Sequence, residues 1–252
     1  MQQVTEPKAL TDYILNLSKS KEAKSNLNLL IQGILAGGYI AIGAIGYFKL
    51  AATIADPGLA AFLASLVFPL GIIAILKLQS ELFTSGCLIM TSFYAGETKL
   101  HKIFKILIKV ILANLIGAIF IAILTNASGV FDEQTMGLVI EKAFFKVHMP
   151  FGKLLVSGIL CNIIVCTAMC MAYSSRDEIS KIVLLWLAIT VFALSGTEHV
   201  VANMYYLFTA YFAGAEISIL EILYNLSVSA IGNFIGGGII VAGANYIVTK
   251  TS

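Results

Sequence analysis

Glu198 and His199 sit side by side in SGTEHVVANMYY (Ser195–Tyr206), inside an otherwise apolar run from Ile182 to Gly214. A charge at the centre of a bilayer costs about 3 kcal/mol even on insertion-based scales, so ionisable groups at that depth are functional candidates by default. Imidazole exchanges a proton near neutral pH without a large shift, which makes His199 the candidate for acid–base chemistry on a passing solute. Adjacent helical residues diverge by about 100°, so Glu198 can hold backbone while His199 faces a path. A second polar interruption, LKLQSELFTSG (Leu76–Gly86), places Glu81, Leu82, Phe83 and Thr84 within the apolar run Gly58–Gly96, and Thr197 joins the first group. Two roles stay open for the glutamates: holding a break in a helix, or meeting the solute.

The chain that must position these residues is 59% hydrophobic and 12% charged, half the charge of an ordinary soluble domain, which is about a quarter charged. It is a polytopic membrane protein by composition. A bilayer core needs about 20 helical residues per crossing. Asn28–Phe48, Ile106–Thr125, Leu154–Tyr173 and Leu226–Val248 each provide one. Gly58–Gly96 and Ile182–Gly214 are too long for one crossing and too short for two, and each has polar residues near its middle. Each therefore reads as a broken helix, because irregular backbone at depth survives only where protein or a wet cavity satisfies it. Of six crossings, one side carries eleven lysines and arginines in its tails and connections and the other carries four, Lys49, Lys142, Lys146 and Lys153. That bias puts both termini in the cytoplasm, in a cytoplasmic (inner) membrane.

The chain repeats itself. QGILAG (Gln32–Gly37) resembles SGILCN (Ser157–Asn162) at an offset of 125, and ANLIGAI (Ala113–Ile119) resembles GNFIGGG (Gly232–Gly238) at 119. Glu81 and Glu198 are offset by 117. Residues 28–125 and 154–248 are thus two copies of a three-crossing unit. An odd number of crossings forces the second copy to enter from the opposite face, giving an inverted repeat whose broken helices meet at the midplane. Half-helix ends bring backbone N–H groups and positive dipole ends to that point, an architecture for passing a small polar solute. Phe68 and Ile72 before the first break, Phe192 before the second, and Val165 on the fourth span either pack the core or close dry constrictions above and below the polar centre.

Residues 1–27 form a separate N-terminal segment in which Leu10, Tyr13, Ile14 and Leu17 recur at helical spacing, opposed by Lys19, Lys21 and Lys24. That pattern predicts an interfacial helix on the lipid surface, next to the first span; residues 249–252 form a C-terminal tail. Lys77 falls within the second span, nine residues beyond Phe68, which on a continuous helix turns it away from the pore. The four cysteines lie in apolar stretches and read as small hydrophobic filler. No basic surface with interleaved aromatics suits a nucleic acid. No H-E-x-x-H, G-x-S-x-G or metal-spaced cluster points to an enzyme, a metal or a cofactor. A water or small neutral solute channel shares the inverted-repeat logic, but the prolines are confined to Pro7, Pro57, Pro69 and Pro150, leaving no N-P-A at either half-helix.

SELFTSGCLIM (Ser80–Met90), CNIIVC (Cys161–Cys166), SGTEHVVANM (Ser195–Met204) and GNFIGGG resemble the formate/nitrite transporter family, which includes hydrosulfide channels. The resemblance runs from about Leu29 to Tyr246. It implies an all-α homopentamer of aquaporin-like protomers, each with six transmembrane helices and its own pore. It implies that Thr84 and His199 form the polar centre, that Leu82, Phe83, Phe68, Ile72, Val165 and Phe192 form the constrictions, that Asn162 and Asn233 give polar support, and that Lys146 stands near the outer mouth. Thr197 departs from the resemblance, standing where the family pattern has an aromatic residue. The implied solute is a small monovalent anion of a weak acid, protonated at the centre so that it crosses the apolar rings neutral.

Overall fold

The structure is a computed structural model that describes residues 7–251. The first six residues of the N-terminal segment and Ser252 of the C-terminal tail lie outside the described residues. Every regular element among the described residues is helical. Six crossings are long and apolar enough to span a membrane: α2 (Asn26–Thr53), α3–α4 (Pro57–Val67 and Leu70–Lys77), α7 (Leu100–Ser128), α9 (Phe151–Ser174), α10 (Glu178–Ser195) and α12–α13 (Ile219–Phe234 and Ala242–Thr251, joined by a π-helical segment, Ile235–Val241). Each unbroken crossing runs beyond the apolar stretch that marks it in the sequence, because polar and lysine-bearing ends continue the helix past the hydrocarbon. The remaining elements are α1 (Pro7–Ala23), α5 (Phe83–Gly86), α6 (Met90–Tyr94), α8 (Glu133–Val147) and α11 (Val200–Phe212).

Local chemistry sets the helix ends. Asp56, Asp132, Asp177 and Ser218 cap α3, α8, α10 and α12 through their side chains, satisfying amides that a first turn leaves free. Hydrogen bonding from Thr135, and then the Lys49 ammonium, hold the Asp132 carboxyl below the usual carboxylate range. The breaks occur where expected. After α4 the chain leaves the helix through Gln79 in the left-handed region and resumes at Phe83. After α10, Gly196 turns at φ 65° and α11 starts beyond His199. Phe68 and Pro69 interrupt the second crossing once more, between α3 and α4, since proline brings no N–H to the helical ladder.

The repeat is visible in the packing. A Cβ on Gly117 would lie 1.9 Å from the Ile34 carbonyl oxygen, and one on Gly236 would lie 2.2 Å from that of Ile159. Both pairs hold the repeat offsets, so α2 meets α7 as α9 meets the π segment that continues α12, and only glycine permits that approach.

The correspondence continues beyond the expected bounds. α1 precedes α2 as α8 precedes α9, and Lys21 and Lys146 differ by the same 125 residues as the first spans. α1 does not present its lysines to a lipid surface opposite an apolar face. Its buried residues are Thr11, Ile14 and Ser18. Thr11 and Ser18 hydrogen-bond Thr249 and Ser92 at 2.6 and 2.8 Å, and Lys21 and Lys24 turn inward. α1 and α13 thus meet at one end of the bundle, here the proximal end; α8 lies at the distal end.

Candidate functional site

Two buried asparagines build the centre. Asn114 of α7 accepts a hydrogen bond from the Phe83 amide at 2.9 Å and donates to the carbonyls of Gly33 and Glu81, both at 2.8 Å. Asn233 of α12 accepts from the Val200 amide at 2.9 Å and donates to the carbonyls of Gly158 and Glu198 at 2.8 and 2.9 Å. Each amide thus ties a break to the first and third crossings of its own half, through equivalent atoms. These bonds satisfy backbone groups that water cannot reach.

On this duplicated frame the side chains differ. His199 is the repeat mate of Leu82, and Thr84 that of Val201. Thr84 Oγ1 and His199 Nε2 lie 3.0 Å apart, so each half contributes one polar group and one apolar group to the centre. His199 also caps α11, its Nδ1 accepting from the Ala202 amide at 3.1 Å. An amide only donates, so Nδ1 carries a lone pair and the ring proton resides on Nε2, directed at Thr84. The geometry fits a neutral imidazole that donates into the centre.

Asn162 joins the halves, donating to the carbonyls of Thr84 and Asn233 at 3.2 and 2.6 Å. Its mate in the first half is Gly37. Room for the extra amide comes from Gly237 in the π segment, where a Cβ would fall 2.3 Å from Asn162 Nδ2 and 2.6 Å from Cys166 Sγ. Cys166 itself lies 3.3 Å from the Thr84 carbonyl, so this cysteine touches the site and is more than filler.

Apolar residues enclose the pair. Phe192 lies 5.6 Å from the His199 ring and 5.8 Å from Phe68, centroid to centroid. Ile72, Leu82, Phe83 and Val165 are buried with them. A distal chamber of about 150 Å³ ends on Phe68 and Phe192, and also meets Thr197, Glu198 and Lys146. A proximal chamber of about 590 Å³ reaches Ile75, Ser85 and Met169. Thr84 and His199 border neither chamber, so the polar centre is shut off from both ends.

The glutamates face these chambers, each with a lysine. Glu198 takes Lys146 at 2.6 Å and Asn203 at 2.7 Å, and Asn225 holds the Lys146 carbonyl at 2.9 Å. Burial, and then the neighbouring Lys146, push Lys142 of α8 below the usual lysine range. Glu81 takes Lys21, and Lys24 at 2.7 Å. Support by backbone N–H groups, one role open to both glutamates, is not what their carboxylates do. Lys77 does not turn away from the path; it pairs with Glu178 at 2.5 Å on the wall of the proximal chamber. A flexible four-carbon stem lets the ammonium reach that carboxylate, so the position of the Cα on the helix does not fix where the charge lies.

A family model described as Formate/nitrite transporter matches residues 8–247. The chain belongs to the formate/nitrite transporter family. This formate/nitrite transporter is 33% identical to Formate channel FocA of Haemophilus influenzae, over 97% of its own length and 95% of the relative's. Its fold matches a solved FNT family ion channel at a TM-score of 0.86 and 26% identity, covering 94% of this chain and 98% of that one. It also matches a pentameric formate channel with formate bound, at 0.83 and 28%, covering 90% and 98%. The family is one of channels and transporters, and the fold is that of its solved members rather than of a water channel.

Among the residues of this transporter's site that the sequence pattern leaves unmarked are Asn114, Lys21, Lys24 and Cys166. Asn114 lies in the quoted repeat opposite Asn233, and Lys21 lies one repeat offset from Lys146, so both signals were present.

Proposed function

We propose that this chain is the protomer of a homopentameric channel in the cytoplasmic membrane, with its termini in the cytoplasm, that passes formate, nitrite or hydrosulfide, the small monovalent anions of weak acids. The channel unit is residues 28–248, served by the flanking 1–27 and 249–252 segments. The observation that carries the reading is the Thr84–His199 contact, a polar pair assembled from both halves and closed at each end by apolar side chains, beyond which stands a lysine-bearing chamber. The relatives named for formate supply the substrate class, and the lysine bias supplies the orientation.

The lysines beside the glutamates of the two breaks, Lys21 and Lys24 at one end and Lys146 at the other, draw an anion into either chamber. Going further as an ion costs several kcal/mol of lost hydration; as the neutral acid it avoids most of that cost. Formate, nitrite and hydrosulfide can each be neutralised by one proton, whereas a strong-acid anion such as chloride cannot and is rejected at Phe68 and Phe192. At the centre His199 and Thr84 hydrogen-bond the solute, with Asn162 and Asn233 holding the backbone around them and Leu82, Phe83, Ile72 and Val165 keeping water out.

The proton has two sources. An imidazolium at His199 could give one directly, but protonating Nδ1 turns the acceptor of the Ala202 amide into a donor and breaks the cap of α11. The cap therefore favours a neutral His199 that orients the solute, with a hydronium ion from the bulk delivering the proton through the chamber's water as the anion leaves it. Formate uptake into proteoliposomes at two pH values tests both points. Uptake should rise at the more acidic pH in the wild type, and His199→Phe should lower it by about tenfold or more, the effect of stranding a buried polar partner. Unchanged uptake with an unchanged pH profile in that variant would remove the histidine from the mechanism. Uptake that carries current without proton movement would favour plain anion conduction.

A further inference from the structure

Four lysines and two glutamates meet at the proximal chamber, in two groups of the same kind. Glu81 lies between Lys21 and Lys24. Glu178 lies between Lys77 at 2.5 Å and Lys181 at 2.7 Å. All six side chains line one cavity of about 590 Å³. Each carboxylate neutralises one lysine, so each group keeps one positive charge and the cavity keeps two. The channel reading uses only the first group, next to the path. Lys77, Glu178 and Lys181 come from α4 and α10 and touch none of the central residues.

We infer that the proximal chamber is a binding site for a small divalent oxyanion, a dicarboxylate or hydrogenphosphate, held between the Lys21–Glu81–Lys24 and Lys77–Glu178–Lys181 groups. A monovalent solute needs one counter-charge and leaves the other unmatched. A dianion matches both, and ammonium groups on flexible stems adjust to its length. Passage is a different matter. Thr84 and His199 are not on the chamber wall, and a dianion must shed two charges before entering the dry passage to them, so it stays and obstructs. The distal chamber, about 150 Å³ with Glu198 and two lysines, Lys142 and Lys146, on its wall, has neither the room nor a second such group. The site rests on the channel reading only for its cytoplasmic placement and its effect on flux; binding itself is independent of conduction.

Titration calorimetry on the purified full-length channel, with succinate, inorganic phosphate and acetate at matched ionic strength, tests it. At least one dianion should bind tenfold or more tighter than acetate, succinate alone marking a dicarboxylate site and phosphate alone a phosphate site. Lys77→Gln with Lys181→Gln should weaken that binding at least tenfold while formate uptake persists, and Glu178→Gln, which frees a positive charge, should strengthen it. The bound dianion should slow formate efflux from vesicles only when present on the side bearing the termini. Dianion binding no tighter than acetate, or unchanged in all these variants, overturns the site. Binding with the expected variant pattern but no formate flux at all would leave the site standing and fail the channel reading instead.

Discussion

The two halves of the molecule share a frame and differ in what they hang on it. Asn114 and Asn233 make the same three hydrogen bonds to equivalent backbone atoms. One residue to either side, the equivalence ends. Leu82 faces His199 across the repeat, and Thr84 faces Val201. At the mouths the proximal glutamate pairs with two lysines and the distal one with a single lysine, all three largely buried. The backbone of the breaks tolerates no variation, because an unmatched N–H or C=O inside the bilayer costs several kcal/mol. Side chains on that backbone are free to diverge, and a polar centre arises because they did: two identical halves would bring together two histidines or none.

The mouths give the largest test of this contrast. Lys146→Met strands Glu198, buried with only Asn203 left to it, and removing one partner of a buried pair costs about 3–5 kcal/mol. Lys21→Met leaves Lys24 on Glu81 and should cost well under half as much. The proximal double variant, Lys21→Met with Lys24→Met, should then resemble Lys146→Met. Thermal unfolding in detergent ranks the three. If Lys21→Met alone matches Lys146→Met, the proximal glutamate depends on one lysine and the mouths are alike after all.

The frame should behave the opposite way. Asn114→Ala and Asn233→Ala each delete three buried hydrogen bonds, about 3 kcal/mol at a typical net value of about 1 kcal/mol per bond. They should lower the melting temperature equally, although only Asn233 lies beside the histidine half. A large inequality between them breaks the claim that the breaks are held identically.

The same division explains what the sequence could reveal. Crossings, breaks and the inverted repeat follow from apolar length and from matched strings, which are properties of backbone accommodation. Placing both breaks at the midplane brings two sets of candidates together, and the resemblance to the family is what singles out Thr84 and His199 among them. Asn114 went unrecognised although its string had been matched to that of Asn233, because the resemblance singled out polar support only in the second half. Lys21 and Lys24 looked like a solvent-facing stripe because α1 has apolar residues at helical spacing. A helix set against protein can turn its lysines inward when a buried carboxylate is waiting, and periodicity within one helix carries no sign of that partner. Lys77 is hidden for a different reason: its ammonium is placed by Glu178, a partner 101 residues away on α10, which helical phase within α4 does not reveal.

The smallest expected effect lies at the starts of α7 and α12. Lys99 and Ser218 are repeat mates with nearly the same extended backbone, φ −90° and ψ 143° against φ −92° and ψ 157°. Ser218 caps α12 and joins Glu221 in a capping box, whereas Lys99 gives α7 no side-chain cap. A lysine there also opposes the positive end of the helix dipole. The proposed topology supplies a reason: Lys99, Lys102, Lys105 and Lys109 lie on the lysine-rich side proposed to be cytoplasmic, and orientation during insertion is set by such lysines. Ser218→Ala should therefore cost about 1 kcal/mol, the usual value of a lost cap, and Lys99→Ser should return a similar amount, both read from thermal unfolding. The second variant should also place fewer molecules with the termini inside, measured by labelling a cysteine added at the C-terminus. If Lys99→Ser gains no stability, the two helix starts differ in more than their caps, and the repeat does not extend to the ends of its third crossings.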